Sequence, residues 1–269
     1  MPDPPAPPIL RPVHGLACNQ SVERFEPYGL PPRVGRCPRC GAKPRHRATL
    51  WYLREVVGPG LGPGSQVLEV GAAKFGLARH PGVFAPASYL TIDIRRLRHH
   101  GELAAAGRFA LMDVARLGLL GASLDVILCN HALSFVPDYR GALAELGRCL
   151  APDGLLMLEV PQYPGPTQSA QALREARPDL DDAWFPENGD RWAFGEDFDE
   201  RVAATGLAPR IDELFAECSP ASLAERGLKP RNRLRVVFRD PAGPARFPPP
   251  GPAVWPAGEP SARGSSQAG

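Results

Sequence analysis

The sequence predicts an α/β fold in which a mostly parallel sheet carries helices on both faces. Short apolar runs alternate along the chain with segments of helical periodicity, as strands and crossover helices do. The apolar runs are also continuous, which is typical of strands that are covered on both sides. The strands that these two observations predict are Gln66–Val70, Tyr89–Ile94, Phe109–Val114, Leu124–Asn130 and Gly154–Val160.

Helices are predicted before, within and after this run of strands. Leu50–Val57 has helical character and is stopped by the Gly- and Pro-rich segment 58–64. Asp138–Leu150 carries apolar residues at helical spacing. A further helix over Glu196–Thr205 precedes two more predicted strands, Ala208–Leu214 and Leu234–Arg239.

Composition divides the chain and excludes some classes of protein. The 31 Lys and Arg residues nearly balance the 29 Asp and Glu, and this net charge of +2 makes a nucleic-acid partner unlikely in composition terms. No apolar run is long enough to span a membrane, and the first residues lack the features of a signal peptide, so we expect a cytoplasmic protein. The predicted organisation is a disordered Pro-rich tail (1–12), a cysteine-containing module (13–49), a main domain (50–240) and a disordered Pro/Gly/Ser-rich tail (241–269).

Acidic residues end three successive predicted strands. Glu69 precedes a turn of small residues, Gly71 to Ala73, where a larger side chain would keep backbone away from a ligand. Asp93 and Asp113 close the next two strands, and Asp93 has about the spacing from the turn at which an acid meets ribose hydroxyls. The turn alone also suits an ordinary strand-to-helix connection. The ordered set of three acids favours a nucleotide-type site at the carboxyl edge of the sheet.

The segments that carry these acids resemble a known family. Glu69-Val-Gly71, Ile92-Asp93-Ile94, Met112-Asp113-Val114 and the long stretch 124–161 are similar to class I S-adenosylmethionine-dependent methyltransferases of the type 11 branch. The resemblance covers about residues 64–215. It implies a Rossmann-like sheet of seven mostly parallel strands, the last of which runs antiparallel.

The resemblance also implies roles for individual residues. The turn at Gly71 would pass under the methionine part of S-adenosylmethionine, Asp93 would hold the ribose, and residues 113 and 114 would lie by the adenine. Asn130 and His131 would line the floor near the methyl group. His131 is the predicted catalytic residue, although a histidine beside a strand end can also be structural. The predicted cofactor-binding residues are Glu69, Gly71, Ala73, Asp93, Asp113, Val114 and Asn130.

Two departures from the family pattern stand in these segments. Ala73 replaces a usual glycine of the first turn. Phe135 replaces a second histidine after the fourth strand, where this chain has Ser134 and Phe135 in succession. Because methyl transfer from a sulfonium needs no strong base, positioning in a dry site can provide most of the acceleration without that histidine.

The cysteines near the amino terminus predict a metal-binding module. Cys37 and Cys40 form a knuckle that turns two thiols toward one point, and Cys18 lies at the ribbon spacing from them. The fourth position of the ribbon pattern is Ser21, so the sequence predicts a degenerate zinc-ribbon-like module with Cys18, Cys37 and Cys40 as metal ligands. The fourth ligand could be His14 or His46, or the thiols could be reduced and hold no metal.

This module strengthens the resemblance. Cys37-Pro-Arg-Cys40-Gly41, then Arg45-His46-Arg47 and an aromatic helix, is similar to the front end of a subset of these methyltransferases. In that subset His46 would belong to the Arg-His-Arg turn. The arginines could meet anionic groups of the acceptor or form a solvated surface.

The sequence therefore predicts a methyltransferase that uses S-adenosylmethionine, with zinc as a further candidate cofactor. Its acceptor would be a small molecule, such as a sugar or another biosynthetic intermediate, held under an aromatic lid over residues 162–195. One alternative is an RNA methyltransferase that grips phosphates with the cysteine module. Another is a non-catalytic protein that binds S-adenosylmethionine or a partner.

Overall fold

The structure is a computed structural model, and it groups the chain into two compact units. The larger unit comprises residues 52–212 and 233–249, and the smaller comprises residues 1–51, 213–232 and 250–269. The residues that the structure describes are 13–15, 20–28, 33–71, 87–95, 101, 104, 108–178, 189–215, 217–229 and 233–250.

Thirteen strands and five α-helices are described in these ranges. The strands, in chain order, are β1 (Val13–Gly15), β2 (Gln20–Val22), β3 (Glu26–Tyr28), β4 (Arg33–Arg36), β5 (Gln66–Val70), β6 (Ser88–Asp93), β7 (Phe109–Leu111), β8 (Leu124–Asn130), β9 (Leu150–Glu159), β10 (Gln168–Ser169), β11 (Trp192–Ala193), β12 (Ala208–Glu213) and β13 (Arg233–Phe238). The helices are α1 (Pro44–Tyr52), α2 (Tyr139–Cys149), α3 (Ala170–Ala176), α4 (Phe198–Ala203) and α5 (Pro220–Glu225).

A seven-stranded sheet forms the centre of the larger unit. Its strand order is β12-β13-β9-β8-β5-β6-β7. The neighbours from β9 to β7 pair in parallel, and β13 pairs antiparallel with β9. The mostly parallel seven-stranded sheet expected from the sequence is thus confirmed.

The core of the larger unit lies where helix α2 packs on the sheet. Asp138 caps α2, because its side chain accepts a hydrogen bond from the N–H of Gly141. The buried face of the helix carries Leu143 and Leu146, which join the apolar residues of β5, β8 and β9 in one cluster. This packing fixes the connection between β8 and α2, on which the candidate site depends.

Helix α1 begins earlier than the sequence predicts. Apolar periodicity starts at Leu50, but the helix starts at Pro44, a residue suited to a first helical turn. Beyond Tyr52 it widens into a π-helical turn over Leu53–Val57, and a short 3₁₀ turn over Gly58–Gly60 follows. The first turn of the helix is polar, so apolar periodicity does not indicate where the helix begins.

The smaller unit is discontinuous in sequence. It combines the predicted module at 13–49 with residues 213–232, which the sequence alone assigns to the main domain. Arg47 joins the two parts: its fully buried guanidinium donates to the carbonyls of Gly35, Ala42 and Gly227, and it lies over the ring of Phe25. A buried arginine therefore holds this unit together.

Part of the predicted carboxy-terminal tail is ordered against the larger unit. Phe247 is fully buried, and an added Cβ at Gly60 would lie 2.8 Å from its ring. Arg246 donates to the carbonyl of Gly60 and to Ser65, and it pairs with Asp125. The Pro content of residues 241–250 predicts disorder, and this prediction is wrong: buried Phe247 and the contacts of Arg246 hold the segment in place. Residues 1–12 and 251–269 lie outside the described residues.

In the part of the chain that the structure describes, no helix has both the length and the apolar character needed to cross a membrane. The cytoplasmic location stays a prediction.

Candidate functional site

The candidate site lies where the strand order of the sheet reverses. From β5 the chain adds β6 and β7 on one side and β8 and β9 on the other, so the switch point falls between β5 and β8. Ligands of open parallel sheets bind at the carboxyl ends of the strands beside such a point. Binding groups are therefore expected in the turns that follow β5 and β8.

Gly71 makes the close approach of these two turns feasible. Its φ of +67° is a left-handed conformation that glycine adopts at little cost, and its N–H donates to the carbonyl of Ile92. An added Cβ at this position would lie 3.1 Å from the Cβ of Ala132, in the turn after β8. The predicted role of Gly71 is thus consistent with crowding at the switch point. Ala73 lies outside the described residues.

Glu69 is held within the sheet. Its carboxylate accepts a short hydrogen bond from the hydroxyl of Tyr89, and that hydroxyl also accepts from Thr91 at 3.2 Å. The side chain of Glu69 is buried. Sequence reasoning missed Tyr89, although its position two residues before the register partner of Glu69, Thr91, puts both on one face of the sheet.

Asp93 and Asp113 repeat one arrangement at neighbouring strand ends. In each, Oδ1 accepts a hydrogen bond of 2.9 Å from the main-chain N–H two residues later, that of Arg95 or Ala115. Within the described residues the second carboxylate oxygen of Asp93 has no such donor, so it can accept from a ligand hydroxyl. Val114, also predicted to bind the cofactor, is buried in the apolar core.

The end of β8 carries two unusual features. The Oδ1 atom of Asn130 is buried and has no hydrogen-bond donor within the part of the chain that is described. His131 adopts a left-handed conformation with φ of +56°, and its N–H donates to the carbonyl of Glu159 at 2.7 Å. Left-handed backbone in a residue other than glycine costs on the order of 1–3 kcal/mol and clusters at functional sites.

The unpaired oxygen tests whether a cofactor suits this edge. A buried amide oxygen without a donor costs free energy that a ligand N–H or O–H can recover. S-adenosylmethionine has an ammonium group and two ribose hydroxyls as donors. Asn130 and Asp93, at the ends of β8 and β6, offer matching acceptors, so the residues present fit the group.

The segment that follows β9 contacts the connection between β8 and α2. The N–H of Arg191 donates to the carbonyl of Ser134 at 2.7 Å, and the indole N–H of Trp192 donates to that of Val136 at 2.9 Å. Tyr139 contacts the rings of both Trp192 and Phe194 edge-on. The described parts of the predicted lid are therefore anchored; residues 179–188 lie outside the described ranges.

A close backbone contact and an ion pair fix this segment further. An added Cβ at Gly195 would lie 2.0 Å from the carbonyl oxygen of Gly165, so only glycine fits there. Asp197 accepts from the N–H of Thr167 and pairs with Arg201. Desolvation by burial works to raise the pKa of Asp197, but the hydrogen bonds from Thr167 and Arg201 prevail and lower it to about 2.

The cysteines differ in what they can do. Burial raises the pKa of the Cys129 thiol to about 12, and burial also raises that of Cys149, which makes both poor nucleophiles. Cys37 is buried and Cys40 half-buried in the predicted knuckle, where the N–H of Cys37 donates to the carbonyl of Ala42 and the N–H of Gly41 donates to that of Cys37. These backbone bonds order the turn at residues 37–41; the convergence of the two thiols stays a prediction.

The metal site itself is not assembled by the described residues. Among them no group of three His, Cys, Asp or Glu side chains could hold a metal ion. Cys18, the third predicted ligand, lies outside the described ranges. The backbones of His14 and Ser21 are partners in the β1–β2 hairpin on either side of it. Zinc therefore stays a prediction.

Comparison with known proteins identifies relatives. A family model described as a methyltransferase domain matches residues 43–209, from the residue before α1 into β12. The trans-aconitate 2-methyltransferase of Variovorax paradoxus (strain S110) is 27% identical over 210 residues, which cover 66% of this chain and 78% of that protein.

One solved structure has the same fold, and a second is matched at a lower TM-score. A candidate sarcosine dimethylglycine methyltransferase from Galdieria sulphuraria has a TM-score of 0.50 and 17% identity, with coverage of 72% of this chain and 85% of the other. An S-adenosylmethionine-dependent methyltransferase from Mesorhizobium loti has a TM-score of 0.48 and 16% identity, covering 72% and 97% of the two chains. At such identities the likeness concerns the fold alone.

Proposed function

Because the chain belongs to the methyltransferase domain family and is an S-adenosylmethionine-dependent methyltransferase, we propose that it transfers the methyl group to a small-molecule acceptor. The observation that carries the proposal is the buried Oδ1 of Asn130 at the switch point of the sheet, which has no hydrogen-bond donor among the described residues. It is a ready acceptor for a donor group of the cofactor. The proposal places the cofactor over the turns after β5 and β8.

Individual residues would hold the cofactor as follows. Asp93 would accept from the ribose with the carboxylate oxygen that the Arg95 N–H does not use. Gly71 has no Cβ, so the turn after β5 would leave room for the methionine part of the cofactor. Asn130 would accept from the cofactor ammonium. Glu69, Ala73, Asp113 and Val114 would complete the contacts, as the resemblance implies.

When bound, S-adenosylmethionine supplies a methyl group on a positively charged sulfonium. The chain's own residues would orient the acceptor and exclude water, which provides most of the acceleration in a transfer of this kind. His131 would accept the proton that the acceptor loses. Its strained backbone would direct the imidazole, and glycine is the natural replacement because it tolerates the same φ.

The small size of the acceptor has separate support. The curated relative from Variovorax acts on trans-aconitate, a small molecule. In this chain Arg191 and Trp192 are hydrogen-bonded to residues 134 and 136, in the connection that follows β8. The near-balance of charge gives little support to an RNA acceptor.

Zinc is proposed as a structural ion of the smaller unit, held by Cys18, Cys37 and Cys40. The ordered knuckle at residues 37–41 supports it. Zinc content of the purified chain should approach one equivalent and fall after Cys40→Ser. Zinc-free protein with unchanged folding of the smaller unit would contradict the proposal and favour thiols without a metal.

The acceptor class can be tested with labelled cofactor. The purified full chain is incubated with S-adenosylmethionine that carries tritium in its methyl group. Each incubation also contains one acceptor source: trans-aconitate, a small-molecule cell extract or total RNA. Label should enter a small molecule. His131→Gly should lower turnover about 100-fold, since general acid–base help contributes about that much or more, while cofactor affinity changes little. Label in RNA, or cofactor binding with no transfer to any fraction, would support one of the two alternatives instead.

A further inference from the structure

We propose that Ser134 is a specificity-determining residue for the methyl acceptor, which presents a hydroxyl or carbonyl group to it on a flat apolar body. This inference rests on the proposed function and names the class of acceptor. The side chain of Ser134 is only 1% exposed, yet its Oγ has no hydrogen-bond partner among the described residues. Native proteins rarely leave a buried hydroxyl unpaired without a ligand to satisfy it.

The backbone on both sides of Ser134 is fixed. Leu133 is buried in the core, and the carbonyl of Ser134 accepts the N–H of Arg191 at 2.7 Å. Ser134 belongs to the 3₁₀ turn Leu133–Phe135, which connects the end of β8 to helix α2. The hydroxyl is thus held at a defined place by packing that gives it no partner of its own.

Residues 130 and 134 each have a buried polar atom without a hydrogen-bond partner in the part of the chain that the structure describes. Asn130 Oδ1 and Ser134 Oγ stand on either side of the strained residue His131. Methyl transfer brings two ligands into one site, and an amide oxygen can only accept, which suits a cofactor donor. The hydroxyl of Ser134 can donate or accept, so it is the group left for the second ligand.

Phe135 supplies the apolar part of the argument. Its ring is 45% exposed, although its neighbours Leu133 and Ser134 are buried. A Cβ at Gly189 would lie 3.6 Å from the ring, so the ring lies near the described start of the 189–195 segment. Arg191 reaches this turn through its main chain. An exposed aromatic ring next in sequence to the hydroxyl suits a ligand with an apolar face and a single polar group.

A pair of probes that differ in one hydroxyl tests the proposal. Phenol and fluorobenzene are titrated by ligand-detected NMR into the full chain saturated with S-adenosylhomocysteine. The wild type should bind phenol about 3- to 10-fold more tightly, the effect of one neutral hydrogen bond. Ser134→Ala should reduce that preference to about one. Ser88→Ala, at an exposed position at the start of β6, should keep it.

Two further readouts separate the possible outcomes. Ser134→Ala should bind S-adenosylhomocysteine within about twofold of the wild type and should have an equal or higher Tm, since it removes an unpaired hydroxyl. Weaker cofactor binding, a Tm lower by several degrees, or an unchanged phenol preference would each overturn the inference. A wild type that binds the cofactor product but does not distinguish the probes overturns it as well. A wild type that binds no S-adenosylhomocysteine contradicts the proposed function itself.

Discussion

Replacing Arg47 by methionine should unfold the smaller unit and leave the larger one intact. The guanidinium is fully buried and donates to the carbonyls of Gly35, Ala42 and Gly227. Methionine has a similar length but no donors. The carbonyl of Ala42 keeps the N–H of Cys37, whereas those of Gly35 and Gly227 lose the Arg47 donor.

The size of the effect follows from these contacts. A buried acceptor that loses its donor costs about 1–3 kcal/mol, and the contact with the Phe25 ring contributes about 0.5–2 kcal/mol more. For the two acceptors and the ring contact together, these figures predict a loss of about 2.5–8 kcal/mol, which is much of the stability of a small domain. Arg36→Met is the matched control, because Arg36 pairs with Glu26 at the surface and should cost less than about 1 kcal/mol.

Hydrogen exchange measured by mass spectrometry separates the units. In Arg47→Met, amides in residues 33–51 and 217–229 should lose protection, while those of β8 and β9 should keep it. Equal protection in Arg47→Met and Arg36→Met would refute the account of a buried arginine holding the two segments together. Loss of protection in β8 and β9 as well would show that the larger unit cannot stand alone.

Three further changes test the larger unit. Truncation after residue 240 should lower the Tm by several degrees, because it removes buried Phe247, whereas truncation after residue 250 should not. Gly195→Ala should destabilise by more than about 2 kcal/mol in urea unfolding, since its Cβ would overlap the Gly165 carbonyl; Gly62→Ala, in open space, should not, and equal effects would contradict the contact. The lowered pKa of Asp197 contributes to the free energy of unfolding. This contribution is complete above the pKa of an unfolded aspartate, near 4, and is lost as pH falls toward 2. Asp197→Asn should abolish this part of the pH dependence of stability, and an unchanged acid-unfolding profile would contradict the assignment.

The central strands could be predicted from the sequence almost in full. The bounds of β5 and β8 match the prediction residue for residue, because continuous apolar runs are bounded by glycine or polar residues. The predicted start of β9, at Gly154, was wrong: the strand begins at Leu150 and its register with β8 shifts after Leu124. Pro152 and Gly154 lie at this irregularity within the strand.

The candidate site was predictable only in part, for a physical reason. The ends of strands can be recognised in the sequence, so acidic residues at those ends can be recognised too. In the structure, Asp93 and Asp113 each accept a hydrogen bond from the main-chain N–H two residues later. The unpaired hydroxyl of Ser134 depends on packing that sequence does not display. Arg47 meets Gly227 across 180 residues, and no local pattern announces such a contact. The cofactor-binding roles of Asp93 and Asp113 and the catalytic role of His131 remain predictions.

Calorimetric titration with S-adenosylhomocysteine tests the central claim most directly. The wild type should bind in the micromolar range, and Asp93→Ala should bind about 10- to 100-fold more weakly, because a charge-assisted hydrogen bond of about 1.5–3 kcal/mol is lost. Glu200→Ala, on the exposed side of α4, should bind like the wild type. No binding to folded wild-type protein, or equal binding by Asp93→Ala, would contradict the cofactor site described at the carboxyl edge of β5, β6 and β8.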